Sequence, residues 1–289
     1  MTMTPEAEQA ERPRQAHLVG LLTFTSGGVD VVTLMVIGGA FTSVITGNLI
    51  FAGRAIGTSS LNPALHAIMA VAGYVAGVAA GARLRQLSDR RTARAGWPQA
   101  VAWPWAATLV LVVESVILAA VNVAWIGYDA APPGAAADLM LIAAAVSLGL
   151  QGAAARAIKG NPSTTYMTGA LTALVEALAT GRRRSADASA VIGLIALVAG
   201  AACSAVLVEH ASQVALLPPL AALLLVIVIK LRHHRAERRP VPRPPVRSDD
   251  TVRRDDTARC DDTARCDDAV QSDDAVPSGD TVRERPPGT

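Results

Sequence analysis

Long uncharged runs fix what this chain can fold into. Leu18–Ile37 contains one charge, Asp30, and Val101–Trp125 contains one, Glu114. Ala188–Val208 and Leu216–Ile229 contain none. The first three runs are too long for the core helices of a soluble domain and match the ~20 residues that cross a bilayer, and the last lies inside a longer apolar block at about 212–231. In hydrocarbon every backbone N–H and C=O needs an internal partner, so the runs are predicted to be helices. Gly73, Gly77 and Gly81 recur four apart, on one helix face, where small residues let helices approach closely in lipid. Hydrophobic residues make up 51% of the chain and charged residues 17%, and most of the charge lies outside the apolar blocks.

Eight apolar blocks are read, at about 17–38, 40–57, 64–84, 101–125, 138–157, 162–180, 188–209 and 212–231. Basic residues between them favour the cytoplasmic side. The linker 83–100 carries Arg83, Arg85, Arg90, Arg91 and Arg94 and is expected inside; 126–137 carries Asp129 and no Lys or Arg and is expected outside. Arg182–Arg184 belong inside, Glu209 and His210 suit an outside turn, and Lys230, Arg232 and Arg235 hold the end of the core inside. From outside near 131 to inside near 183 the chain must cross an odd number of times, yet two apolar blocks lie between. One of them must stop short, and the charges Arg156 and Lys159 select 162–180. By the same reading 40–57 dips in from outside. The expected fold is an all-α membrane protein of about six transmembrane helices plus two re-entrant half-helices, arranged as an inverted 3+3 repeat. Its parts are a cytoplasmic segment 1–16, repeats at 17–125 and 138–231, and a disordered tail at 236–289. Eight full spans in two parallel repeats is the alternative.

A repeated phrase supports the duplication. Residues 42–49 read TSVITGNL and residues 164–171 read TTYMTGAL, an offset of 122 that also pairs Gly27 with Gly149 and Gly38 with Gly160. After Gly38-Gly39 the β-branched run to Ile45 favours extended backbone, and Thr46 is expected to cap a half-helix starting near Gly47. Asn161-Pro162 breaks the second copy, and Thr168 is expected to cap a half-helix from Gly169. In an inverted pair the two helix starts meet near midplane, where unpaired N–H groups attract a polar or anionic ligand. Thr42, Thr46, Gly47 and Asn48 with Thr164, Thr168 and Gly169 are the candidate substrate residues. The plainer reading is that Thr and Gly here only pack helices tightly.

Two acids lie inside the runs. A carboxyl group there costs at least ~2.5 kcal/mol, so Asp30 and Glu114 must be neutral, paired or turned to a cavity; both are coupling candidates, and Asp30 is also a substrate-binding candidate. Gln151, one residue before the repeat-equivalent of Asp30, is a further substrate-binding candidate. No nucleotide loop, metal-ligand cluster or hydrolase triad is legible, so no enzymatic activity, cofactor, metal or nucleic-acid partner is expected. The tail repeats a six-residue unit (DDTVRR, DDTARC, DDTARC, DDAVQS, DDAVPS) that cannot build a core. Its Cys260 and Cys266 do not have a zinc spacing.

Ser26-Gly27-Gly28-Val29-Asp30, Gly38-Gly39-Ala40-Phe41-Thr42 and Ile45-Thr46-Gly47-Asn48-Leu49, followed by Gly149–Gly152 and Thr164–Leu171, together resemble the YoaK-like family, bacterial multispanning membrane proteins of unknown function. The resemblance covers roughly 17–231. It departs from the family pattern at Gly28-Val29, where an aromatic residue usually stands near the acid, and at Gly152, where Asn is usual. It implies an inner-membrane protein of about six spans and no particular substrate.

The expected function is a secondary transporter or permease for a small polar or anionic solute, working in the lipid bilayer of the bacterial inner (cytoplasmic) membrane with both termini cytoplasmic. A non-transporting scaffold or accessory subunit is the alternative, and self-association into a homo-oligomer is left open.

Overall fold

The computed structural model describes residues 5–58, 61–94, 103–158, 167–181 and 185–237. Eight helices are found among them: α1 (Pro5–Val32), α2 (Ile45–Gly57), α3 (Leu61–Arg94), α4 (Trp105–Gly127), α5 (Gly134–Ala155), α6 (Met167–Thr180), α7 (Ser185–His210) and α8 (Leu217–Glu237). No strand occurs among the described residues. Six segments are long and apolar enough to cross a membrane: Gln15–Ile37, Ala64–Arg91, Trp105–Gly127, Gly134–Ala155, Ala188–His210 and Ser212–Arg235. The protein is an all-α membrane protein.

The two remaining helices are short. α2 has 13 residues and α6 has 14, so at ~1.5 Å per residue each is about 20 Å long, against ~30 Å of hydrocarbon.

Several boundaries differ from the sequence reading. The linker expected at 83–100 is helical as far as Arg94, because the arginine-rich stretch after Gly81 contains no glycine or proline and arginine is a good helix former. Helix α1 starts at Pro5, a residue suited to a first helical turn, and runs unbroken into the candidate span that opens at Gln15. Ala236 and Glu237, expected in the tail, close α8. The rest of the tail lies outside the described residues.

Packing crosses between the two halves of the chain. The most extensive neighbour of α1 is α7, and that of α3 is α5. Each short helix lies on a later helix of its own half, α2 on α3 and α6 on α7. α4 packs on α5 and α8, and α8 on α1. The two large pairings use the same device. A Cβ on Gly77 of α3 would come closer than 3.0 Å to the Val146 carbonyl oxygen of α5, and a Cβ on Gly200 of α7 would come equally close to the Phe24 carbonyl oxygen of α1. Conversely, Gly149 of α5 meets the Tyr74 carbonyl of α3, and Gly27 of α1 meets that of Leu197 of α7. Phe24 and Val146 are 122 residues apart, as are Gly27 and Gly149. Without a water-driven hydrophobic force between helices, such backbone-on-backbone contact is a main source of cohesion in lipid.

Polar ties mark the two ends of the bundle. At one end Gln213 donates to Asp129 (3.2 Å), the Trp125 indole donates to the Ser212 carbonyl (2.7 Å), and His66 faces Asp138 at 3.1 Å. At the other end the Trp103 indole donates to Thr108, which lies 3.3 Å from His234, while Lys230 sits over the Trp103 ring. The α4–α5 and α7–α8 turns thus share an end. In a chain with its three cysteines replaced, single cysteines at Ala131 and Ala211 are expected to react with an impermeant maleimide from the same face, and one at Gly181 from the opposite face. Labelling of 131 and 181 from one face would contradict six crossings.

Candidate functional site

The first Thr-Gly block is built around a break in α1. The helix loosens into a π-turn over Thr33–Ile37, then Gly38 and Gly39 end it. Gly39 has φ +64°, a left-handed backbone that a residue with a Cβ adopts only with strain. The chain then returns through 40–44 and starts α2.

Asp30 holds this return. Its Oδ1 accepts from the Thr42 N–H (2.6 Å), the Thr42 hydroxyl (2.7 Å) and the Ser43 N–H (2.8 Å), and the Ser43 hydroxyl donates to its Oδ2. Asp30 and Thr42 are both buried. One carboxyl group thus satisfies two backbone donors that no helix serves. Asn48 closes the other side: its amide oxygen accepts from the Phe41 N–H (3.0 Å) and its amide donates to the Phe41 carbonyl (2.6 Å). The Phe41 ring stacks on Phe51 at 5.9 Å and lies over Gly47, where a Cβ would be crowded at 3.2 Å. Asp30 and Asn48 are therefore clamps on the loop that leads into α2.

Thr46 does not cap α2. The helix starts at Ile45 with Val44 at the capping position and no side-chain bond there. The Asn48 clasp takes over the work of tying the loop to the helix start, so a capping hydroxyl is not required. Thr46 is exposed and Gly47 half-buried. In the second block α6 starts at Met167, so Thr168 is inside its first turn; Thr168 and Gly169 are exposed, and Thr164 lies outside the described residues. Among the described residues α2 and α6 do not pack extensively on one another, so the expected meeting of two helix starts is not among their contacts.

The second block cannot repeat the clamp. Gly152 stands at the repeat-equivalent of Asp30 and Ala170 at that of Asn48. The Tyr74 hydroxyl fills the space beside Gly152, 2.7 Å from where its Cβ would be. Gln151 reaches the other half instead. Its amide donates to the Leu22 carbonyl (2.5 Å) and to the Ser26 hydroxyl (3.3 Å) of α1.

Glu114 is fully buried on α4 and has no hydrogen-bond partner at either oxygen among the described residues. The same holds for Ser147 Oγ, Gln151 Oε1, Ser204 Oγ and both polar atoms of Asn122. Buried polar atoms without partners are few in native proteins, so each calls for a cause such as water, an ion or a ligand. Sequence reasoning singled out Asp30, Glu114 and Gln151 but missed Ser43, Ser147, Asn122 and Ser204. Small polar residues are common in membrane helices, and no repeat marks Ser147, Asn122 or Ser204; Ser43 lies inside the repeated phrase, opposite Thr165, but nothing there distinguishes it as a partner of Asp30. Among the described residues no group of three or more His, Cys, Asp or Glu could hold a metal ion.

Comparison with known proteins agrees with this architecture. Over 160 residues the chain is 31% identical to the UPF0700 transmembrane protein YoaK of Bacillus subtilis (strain 168), a match covering 55% of this chain and 65% of that relative. The match thus spans a little under two thirds of the relative's length. No solved structure matches. Residues 18–229, which contain all six candidate spans apart from a few end residues, match the family model described as "Protein of unknown function (DUF1275)". The chain belongs to the DUF1275 family, of which the YoaK-type transmembrane proteins are relatives.

Proposed function

We propose that the protein is a secondary transporter or permease for a small polar or anionic solute in the bacterial cytoplasmic membrane. In this reading it is an inverted 3+3 repeat with re-entrant α2 and α6 and both termini cytoplasmic. The observation that carries it is the reciprocal exchange of helices. The first helix of each half packs on the third helix of the other, α1 on α7 and α5 on α3, with Gly27 and Gly149 at matching positions. Duplicated halves that interlock around interrupted or short helices are the usual build of secondary transporters, with the solute near midplane. The polar interior supports the reading: Asp30, Glu114, Ser147 and Gln151 are all buried in helices that cross the membrane. The exposed first turns of α2 (Thr46, Gly47) and α6 (Thr168, Gly169) are the proposed solute contacts.

Proteoliposomes holding the purified chain, screened with small carboxylates, phosphate, sulfate and neutral amino acids, are expected to show flux of one class. Replacing Thr46 and Thr168 together by Val should reduce that flux at least tenfold without lowering the melting temperature. No flux for any class, together with a stoichiometric partner that co-purifies, would instead favour a scaffold or accessory subunit.

A further inference from the structure

We propose that Glu114, Ser147 and Gln151 form a site for one small monovalent cation inside the bundle. Position along the helices brings them within one helical turn of the same depth. α4 and α5 are antiparallel neighbours joined by a short turn. Glu114 lies thirteen residues before Gly127, the end of α4, and Ser147 lies thirteen after Gly134, the start of α5. Both are therefore about 20 Å from the turn, and Gln151 is one helical turn deeper.

Facing is set by the other contacts of α5. Its Ile142, Ala145, Val146, Gly149, Leu150 and Ala153 meet the glycines of α3. At 100° per residue, Gln151 falls on the opposite side of the helix and Ser147 about 130° round from the α3 face. The bond from Gln151 to Leu22 and Ser26 of α1 agrees, because it places that side toward the bundle interior. Glu114 is at the centre of the buried stripe of α4 that runs through Ala107, Leu111, Leu118, Val121 and Trp125.

The chemistry is that of acceptors. The Leu22 carbonyl can only accept, so the Gln151 atom bonded to it must be the NH₂ group, and the atom left over is the amide oxygen. With both Glu114 oxygens and Ser147 Oγ, the site offers four oxygens without partners. A ligand for it must bring positive charge or donors. One carboxylate balances one positive charge, and a divalent ion would leave an uncompensated charge in a low-dielectric interior. Oxygen donors without His or Cys suit a hard ion such as sodium. A proton on Glu114 supplies a single O–H, which serves one of the remaining oxygens, whereas a cation draws on all of them at once.

Binding of the cation stands apart from the transporter reading; its use to drive solute movement rests on that reading. The test is thermal unfolding of the purified full chain at constant ionic strength, with sodium chloride exchanged for choline chloride. Sodium is expected to raise the melting temperature saturably, by about 5 °C or more at a hundredfold excess over half-saturation. Glu114→Gln should abolish that shift while folding at least as well as the parent in choline, because it removes a buried charge. Gln151→Leu and Ser147→Ala should raise the half-saturating sodium concentration roughly tenfold, and Glu209→Gln should leave it unchanged. Direct binding of radioactive sodium should follow the same order. Equal melting temperatures in sodium and choline would overturn the site, as would a shift that survives Glu114→Gln, or stabilisation by acid alone. Flux measured in parallel separates the two readings: a sodium shift without flux keeps the site and removes the transporter, and flux without a shift does the reverse.

Discussion

Gly77→Ala and Gly200→Ala are expected to destabilise the protein by similar amounts, about 3 kcal/mol each, at the upper end of what overpacking usually costs. Each glycine faces a backbone carbonyl of the partner helix, Val146 for Gly77 and Phe24 for Gly200, and an added methyl would come closer than 3.0 Å to it. A carbonyl oxygen cannot rotate away as a side chain can, so the helices must separate along their length and lose dispersion contacts on both sides of the new methyl. Gly27→Ala and Gly149→Ala meet the same obstacle from the other helix of each pair, at Leu197 and Tyr74. Gly53→Ala is the control. Nothing lies within 4 Å of its Cβ position on α2, so the helix propensity of alanine should give a gain of about 0.5–1 kcal/mol. Thermal unfolding in one detergent ranks all five variants. Tolerance of Gly77→Ala beside loss at Gly200→Ala would mean that the two pairings are not energetically equivalent.

The broad fold was legible because its determinants are local or cumulative. Run length marks the apolar segments as membrane helices, and the arginines at 182–184 conflict with a full span at 162–180, but that 40–57 and 162–180 hold short helices is seen only in the structure. The glycine pairings were half visible: the spacing of Gly73, Gly77 and Gly81 announces a packing face, but nothing in α3 says that its partner is α5 of the other half. The start of α2 was misread because Thr46 is a good cap in isolation. The cap became dispensable once Asn48 bonded both backbone groups of Phe41, a contact across seven residues that helical periodicity does not report. Glu114 was visible as a buried acid in an otherwise uncharged run and Gln151 through its place in the repeat, whereas Ser147 acquires meaning only from the α4–α5 register.

Asp30→Ala is expected to cost about 3 kcal/mol, while Asp30→Asn should cost under about 1 kcal/mol. The alanine leaves the Thr42 and Ser43 N–H groups and both hydroxyls without their acceptor. Two orphaned backbone donors at ~1–3 kcal/mol each account for most of the loss. Asparagine retains an oxygen for the three donors that converge on Oδ1, and its NH₂ group faces the Ser43 hydroxyl, which can turn to accept. A charge required only to hold the loop would therefore be replaceable by an amide, and a charge required for coupling would not. Melting temperature and solute flux read together separate these cases: near-normal stability with lost flux in Asp30→Asn would assign Asp30 a role beyond the clamp. Position gives reason to look for one. The clamp links α1, which packs on α7, to the loop that leads into α2, which packs on α3. It ties the α1–α7 pair to the α2–α3 pair, and in Asp30→Ala a cysteine at the exposed Val44 should react faster with maleimide as that tie is lost.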